Sequence, residues 1–324
     1  MNILLYRDDG LGDALFSIPT IKIILDNLQE KDKLFFASPY SIFIKNIIKD
    51  QKLIPLGVKL VDIDEVIKNE FELAIFLGPW GKIKNLDHLK IITKTQAKYK
   101  FIPSYQEKIV FKILKNFLRI FDKTESRIFF ISFEKIFENH DIINTFNFIN
   151  KAFEISNLVS LTKFKGKVFD FYNYEVFGNK AVHKREKRLV IHFTYKSLNF
   201  GFTVDDYRIL INDLKKFWEG DLILVFGPFE KEYFNYIEGV NKTVISNLGD
   251  YMELCLSSAG MIGFDTGPVH LAAFLNTPFV ISLFPDQGFD YRITRWKPFS
   301  NRSKTFVFKY SDFREIGKNI LVFK

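Results

Sequence analysis

The sequence predicts an α/β protein built of two similar halves, each a mostly parallel sheet covered on both faces by helices. Three observations carry this. Short apolar runs alternate with segments whose apolar residues recur at helical spacing, and the alternation is clear at both ends of the chain. A polar, strongly charged stretch at 179–188 interrupts it and marks a linker between a first domain, 1–180, and a second, 181–324. With 324 residues, 47% of them hydrophobic and 38 of them Phe, two cores of ordinary domain size can be filled.

In chain order, residues 2–6 read as a buried strand and Asp9-Gly10-Leu11-Gly12-Asp13 as the loop after it. A helix is predicted from Ala14 to about Leu28, because Leu15, Ile18, Ile21, Leu25 and Leu28 fall on one face. A strand, a Gly-containing loop and a helix in that order invite a dinucleotide-binding reading. The fingerprint fails, since Gly10-x-Gly12 needs a third small residue where Leu15 stands. Further strands are predicted at 33–37, 59–63 and 73–78, with a helix at 41–49. Asp62-Ile63-Asp64 could pass for a metal-binding carboxylate pair but reads better as a strand end, and no His/Asp/Glu cluster has metal-ligand spacing. Residues 78–81, Gly-Pro-Trp-Gly, open either a site loop or a plain turn beyond a strand end. At 106–121 an aromatic face bordered by lysines suits either a core-facing helix with snorkelling lysines or a helix lying on an anionic membrane. Residues 123–175 give no clear pattern.

The second series starts with a strand at 189–193, followed by a helix at 204–218, a strand at 222–226 and a helix opened by Gly227-Pro228-Phe229-Glu230. A strand at 243–245 and a helix at 251–257 lead to residues 261–285. These read as a strand end, a turn through Asp265, Thr266 and Gly267, a helix from Pro268 to about Leu275, and a strand at 279–284. Pro268 suits a first helical turn, where its missing N–H costs nothing, and Thr266 or Asp265 is a candidate cap. Such a turn aims backbone N–H groups and a helix dipole at a ligand above the sheet, as phosphate sites do. Asp265 and His270 flank it. Arg292, Arg295, Trp296 and Lys297 follow, then a strand at 305–309 and a helix at 311–322.

Composition narrows the function. The single Cys255 excludes a disulfide framework and fits a reducing compartment, so the cytoplasm is expected. No leader pattern follows Met1, and no apolar run approaches the roughly 18 residues of a spanning helix. A formal net charge of +8 favours an anionic partner. Nucleic acid is not expected, because no helix-turn-helix or RNP-like signature accompanies the charge.

The string Asp265-Thr266-Gly267-Pro268-x-His270-Leu-Ala-Ala, with a Pro-led apolar strand after it, resembles the nucleotide-binding signature of glycosyltransferase family 9, the ADP-heptose:lipopolysaccharide heptosyltransferases. Gly10-Leu-Gly12-Asp13-Ala-Leu, ending at Pro19, resembles that family's N-terminal signature. The resemblance implies a GT-B type fold, two Rossmann-like domains facing a central cleft, with acceptor and catalytic base on the first and nucleotide-sugar on the second. It allows the last helix to pack back on the first domain. Asp13 then stands at the position of the base, and Thr194, Glu230, Asp265, Thr266, Gly267 and His270 at those that hold an ADP-sugar. Relatives carry a Lys before a Trp-Pro in the first loop of the second half. Here the Trp-Pro is absent and Lys196 is the nearest cation. The implied chemistry is metal-independent inverting transfer of a heptose or related sugar to a lipid-linked core oligosaccharide, with the ADP-sugar a substrate and no cofactor. An anionic inner-membrane surface is a candidate further partner. The rival is a nucleotide-sugar or glycan-binding protein that kept this fold without catalysis.

Overall fold

The computed structural model describes residues 1–40, 58–61, 63–77, 86–104, 126–132, 139–171 and 185–323. The predicted helix at 41–49, Asp62, the loop at 78–81 and the amphipathic helix at 106–121 lie outside the described residues. The chain divides into two compact units, the first running to Phe171 and the second, among the described residues, from Arg185.

The first unit contains β1 (Asn2–Tyr6), α1 (Leu11–Leu25), β2 (Lys33–Ala37), β3 (Val58–Val61), α2 (Ile63–Val66), β4 (Glu70–Phe76), α3 (Leu86–Lys94), β5 (Gln96–Ser104), β6 (Arg127–Ser132) and α4 (Asp141–Ile155). Among the described residues its six strands are all parallel in the order β3-β2-β1-β4-β5-β6, with Leu4 opposite Phe35 on one side and Ala74 on the other. β1 is apolar on both faces because both are covered: Ile3, Leu4 and Leu5 are fully buried. Helix α1 begins at Leu11, one turn earlier than predicted, and ends at Leu25. Gly10 takes extended backbone as its N-cap, and the Asp13 carboxylate accepts the Gly10 N–H at 3.2 Å, so Asp13 lies inside the first turn. Strands β5 and β6 carry no clear signal. In Gln-Ala-Lys-Tyr-Lys-Phe-Ile-Pro-Ser the lysines and Pro103 break the apolar run by which the other strands are recognised.

The second unit contains β7 (Glu186–His192), α5 (Tyr195–Leu198), α6 (Val204–Phe217), β8 (Asp221–Phe226), a 3-10 segment (Pro228–Tyr236), β9 (Asn241–Val244), α7 (Leu248–Ser257), β10 (Ser258–Phe264), α8 (Gly267–Phe274), β11 (Phe279–Phe284), α9 (Phe289–Trp296), β12 (Lys304–Lys309) and α10 (Arg314–Phe323). Its sheet order, β12-β11-β10-β7-β8-β9, repeats the first sheet's topology. Both match the 3-2-1-4-5-6 winding of dinucleotide-binding sheets, whose order reverses beside the first strand and opens a ligand crevice at the carboxyl ends there. In this unit the reversal lies between β7 and β10. A core of Leu189, Ile191, Leu210, Leu214, Ile262 and Ile281 fills one face of the sheet. Helix α10 contributes Ile316 and Ile320 to that core and packs on α6, so the last helix belongs to the second unit's own packing. The stretch opened by Gly227 is a 3-10 segment rather than the predicted α-helix. No helix among the described residues is long and apolar enough to cross a membrane.

Candidate functional site

In the first unit, β1 delivers a charged cluster at its carboxyl end. Arg7, the residue after the strand, is fully buried. Its guanidinium donates to Asp9 (Nε to Oδ1, 2.8 Å), to Ser17 Oγ (2.9 Å) and Thr145 Oγ1 (3.0 Å) through Nη1, and to Asp13 Oδ1 (3.4 Å) through Nη2. One side chain thus ties the loop, α1 and α4 together, and every bond is one that an isolated guanidinium would need to leave water. The Asp13 side chain keeps 27% of its surface exposed. Its carboxyl is pushed up to about 7, by burial first and then by the charges of Asp9 and Asp141, against the opposing pull of Arg7 and the Gly10 N–H. Tyr40, which accepts the Leu11 N–H, faces the same carboxylate; its hydroxyl is raised by burial and by Asp13. A carboxylate poised near neutrality, accessible and held by fixed partners, is what a general base at physiological pH requires. Gly12 lies buried in the first turn, and Gly10 ahead of it.

Three loops at strand ends of the second unit hold the remaining candidates. After β7, Thr194 is buried and caps α5: its hydroxyl accepts the Lys196 N–H at 3.3 Å, and its own N–H donates to Tyr207 Oη at 3.1 Å. After β8, Glu230 folds back so that its carboxylate accepts the N–H groups of Tyr195, Gly227 and its own residue. Burial, outweighing those bonds, raises its pKa. Gly227 makes that fold possible, since a Cβ there would lie 2.5 Å from Glu230 Oε2. Glu230 therefore joins the β8 loop to the β7 loop.

After β10, Asp265 is anchored by its N–H to the Leu283 carbonyl (3.1 Å) and is 8% exposed. Lys196 Nζ reaches across from the β7 loop, donating to the Asp265 carbonyl at 2.6 Å and lying 3.8 Å from Oδ2. Arg292 of α9 places Nη1 3.3 Å from the same oxygen. The carboxyl is nevertheless raised: burial outweighs the two cations. Thr266 is the backbone N-cap of α8, but its hydroxyl donates to the Phe264 carbonyl (3.1 Å) and makes no side-chain cap, and Asp265 lies before the cap. Gly267 opens α8, and His270, 4% exposed, lies one turn in. Gly263 lets α8 press on β10, because a Cβ there would lie 2.4 Å from Val269 Cγ2.

The β7, β8 and β10 loops thus come together around Thr194, Lys196, Glu230 and Asp265. Three participants escaped sequence reading. Arg7 and Thr145 lie 138 residues apart. The one available signal was a charged Arg-Asp-Asp run directly after a buried, mostly apolar strand. Arg292 stood out only as one of several basic residues.

Neither a protein-family model nor a curated protein matches the chain. Solved structures do. A heptosyltransferase WaaC from E. coli with ADP aligns over 99% of both chains at 13% identity and a TM-score of 0.63. An ADP-heptose lps heptosyltransferase II of E. coli covers 99% of this chain and 97% of its own, at 11% identity and TM-score 0.62. A glycosyl transferase family 9 structure from Veillonella parvula covers 95% and 86%, at 12% and 0.59. Over both of its units, this chain has the α/β fold of the heptosyltransferase and family 9 glycosyltransferase structures.

Proposed function

We propose that this protein is a glycosyltransferase of the heptosyltransferase type, moving a heptose or related sugar from an ADP-sugar to a lipid-linked core oligosaccharide with inversion at the anomeric carbon. The observation that carries the reading is the poised Asp13 carboxylate beyond β1, on a fold whose second unit gathers Thr194, Lys196, Glu230 and Asp265 at its own switch point. The ADP bound in the WaaC structure supports the choice of donor class. In this mechanism Asp13 takes the proton of the acceptor hydroxyl as its oxygen attacks the anomeric carbon, and ADP departs. Thr266 and Gly267 backbone N–H groups with Lys196 meet the charge that develops on the diphosphate. Glu230 faces the nucleoside, and His270 supports the diphosphate and sugar. The acceptor's lipid anchor and the net charge of +8 suit work at an anionic membrane surface on the cytoplasmic side.

The test is Asp13→Asn, assayed for transfer from ADP-heptose. The amide keeps the shape and can still accept the Gly10 N–H, but it cannot take a proton at neutral pH. Turnover is expected to fall by about 10² to 10⁴-fold, the usual worth of a general base, with ADP affinity unchanged. Near-normal turnover would remove the base assignment. ADP binding by a wild type that transfers nothing would point to a binding protein on this fold.

A further inference from the structure

The arrangement around Asp265 contains one more cation than a carboxylate needs. Lys196 arrives from the β7 loop and Arg292 from α9, beyond β11, so elements following three adjacent strands converge on one buried carboxylate. The two cations engage it differently. Lys196 directs its short bond to the backbone carbonyl and stands 3.8 Å from the carboxylate. Arg292 spends only Nη1 on the carboxylate; among the described residues Nε and Nη2 make no hydrogen bond. Its guanidinium lies over the Phe200 ring, 4.8 Å from the centroid, and its side chain is 20% exposed. Phe200 belongs to the loop after α5, so the fork rests on a platform from the β7 side. A cation serving only to neutralise Asp265 would turn its fork onto the carboxylate in a bidentate pair. This one keeps that edge open, with a net positive charge beside the α8 turn.

We propose that Arg292 is a donor-binding residue that clamps the diphosphate of a nucleoside diphosphate together with Lys196, with Asp265 and Phe200 holding its guanidinium in place. The assignment rests on the glycosyltransferase reading above. It adds a cation from beyond β11 to a phosphate site that the chain otherwise supplies from the β7 and β10 loops. Charge that a half-exposed Lys196 delivers loosely is thereby supplemented by a planar, preorganised fork.

The test is calorimetry of the full chain with ADP and, by competition, with adenosine, for wild type, Arg292→Ala and Arg292→Lys. Loss of charge-assisted bonds to phosphate is expected to weaken ADP by about 10- to 100-fold in Arg292→Ala. Adenosine affinity should hold, and Arg292→Lys should recover part of the loss, keeping the charge without the fork. If the alanine variant does not fold, Arg292→Gln is read in its place. Unchanged ADP affinity, or parallel losses for ADP and adenosine, would overturn the assignment while leaving the glycosyltransferase reading intact. A wild type that binds no ADP would overturn both.

Discussion

Asp13 should make the folded protein less stable at the pH where it works. Its carboxyl moves from an ordinary 3.8 to about 7 on folding. A group whose folded pKa is raised binds its proton more tightly in the folded state, so between those two values stability falls as pH rises, and above the higher one the loss is complete. About three pH units at 1.36 kcal/mol each give roughly 4 kcal/mol as an upper bound. The side chain keeps 27% of its surface exposed, and solvent relaxes around it. About 2 kcal/mol is the better expectation. Asp13→Asn imitates the protonated form, keeps an acceptor for the Gly10 N–H, and leaves Asp9 paired with Arg7. Melting temperatures of both proteins, taken at half-unit steps from pH 4 to 8.5, should coincide near pH 4 and diverge through pH 7. The variant should end roughly 4 to 8 °C higher, at about 2 to 4 °C per kcal/mol for a unit of this size. A variant equal to wild type at pH 8, or below it, would refute the raised pKa and leave Asp13 a mere partner of the helix start. Higher stability with lost turnover would mark the trade that a poised active-site charge imposes.

Three further outcomes follow from the same geometry. Gly263→Ala should destabilise the second unit by about 1 to 3 kcal/mol, because its methyl would meet Val269 at 2.4 Å; an unchanged denaturation midpoint would mean that α8 shifts freely. Glu230→Ala releases the N–H groups of Tyr195 and Gly227 that tie two loops, and ADP affinity should fall by about tenfold in calorimetry; equal affinity would detach Glu230 from the nucleoside. If the acceptor is lipid-linked, the protein should float with anionic vesicles at low salt and release as screening grows; flotation indifferent to lipid charge and to salt would count against membrane work.

Much of the second unit was legible in the chain. The strand at 279–284 has its predicted ends, and α8 begins at Gly267, one residue before the predicted start at Pro268, because buried parallel strands are continuous apolar runs and Pro is favoured in a helix's first turn. Asp13, Thr194, Glu230 and Asp265 were singled out by the resemblance of their motifs, and the structure places each just past a strand or in the first turn after one. The tertiary structure alone decided which of those loops meet. Sheet order put β10 beside β7 and so brought Lys196 onto Asp265, 69 residues away. It alone revealed Arg7 as the hub that Ser17 and Thr145 satisfy, and Arg292 as a partner of Asp265. The same packing sets the Asp13 charge. A pKa is a sum over burial and over charges such as Asp141 on α4, and that sum exists only once the chain has folded.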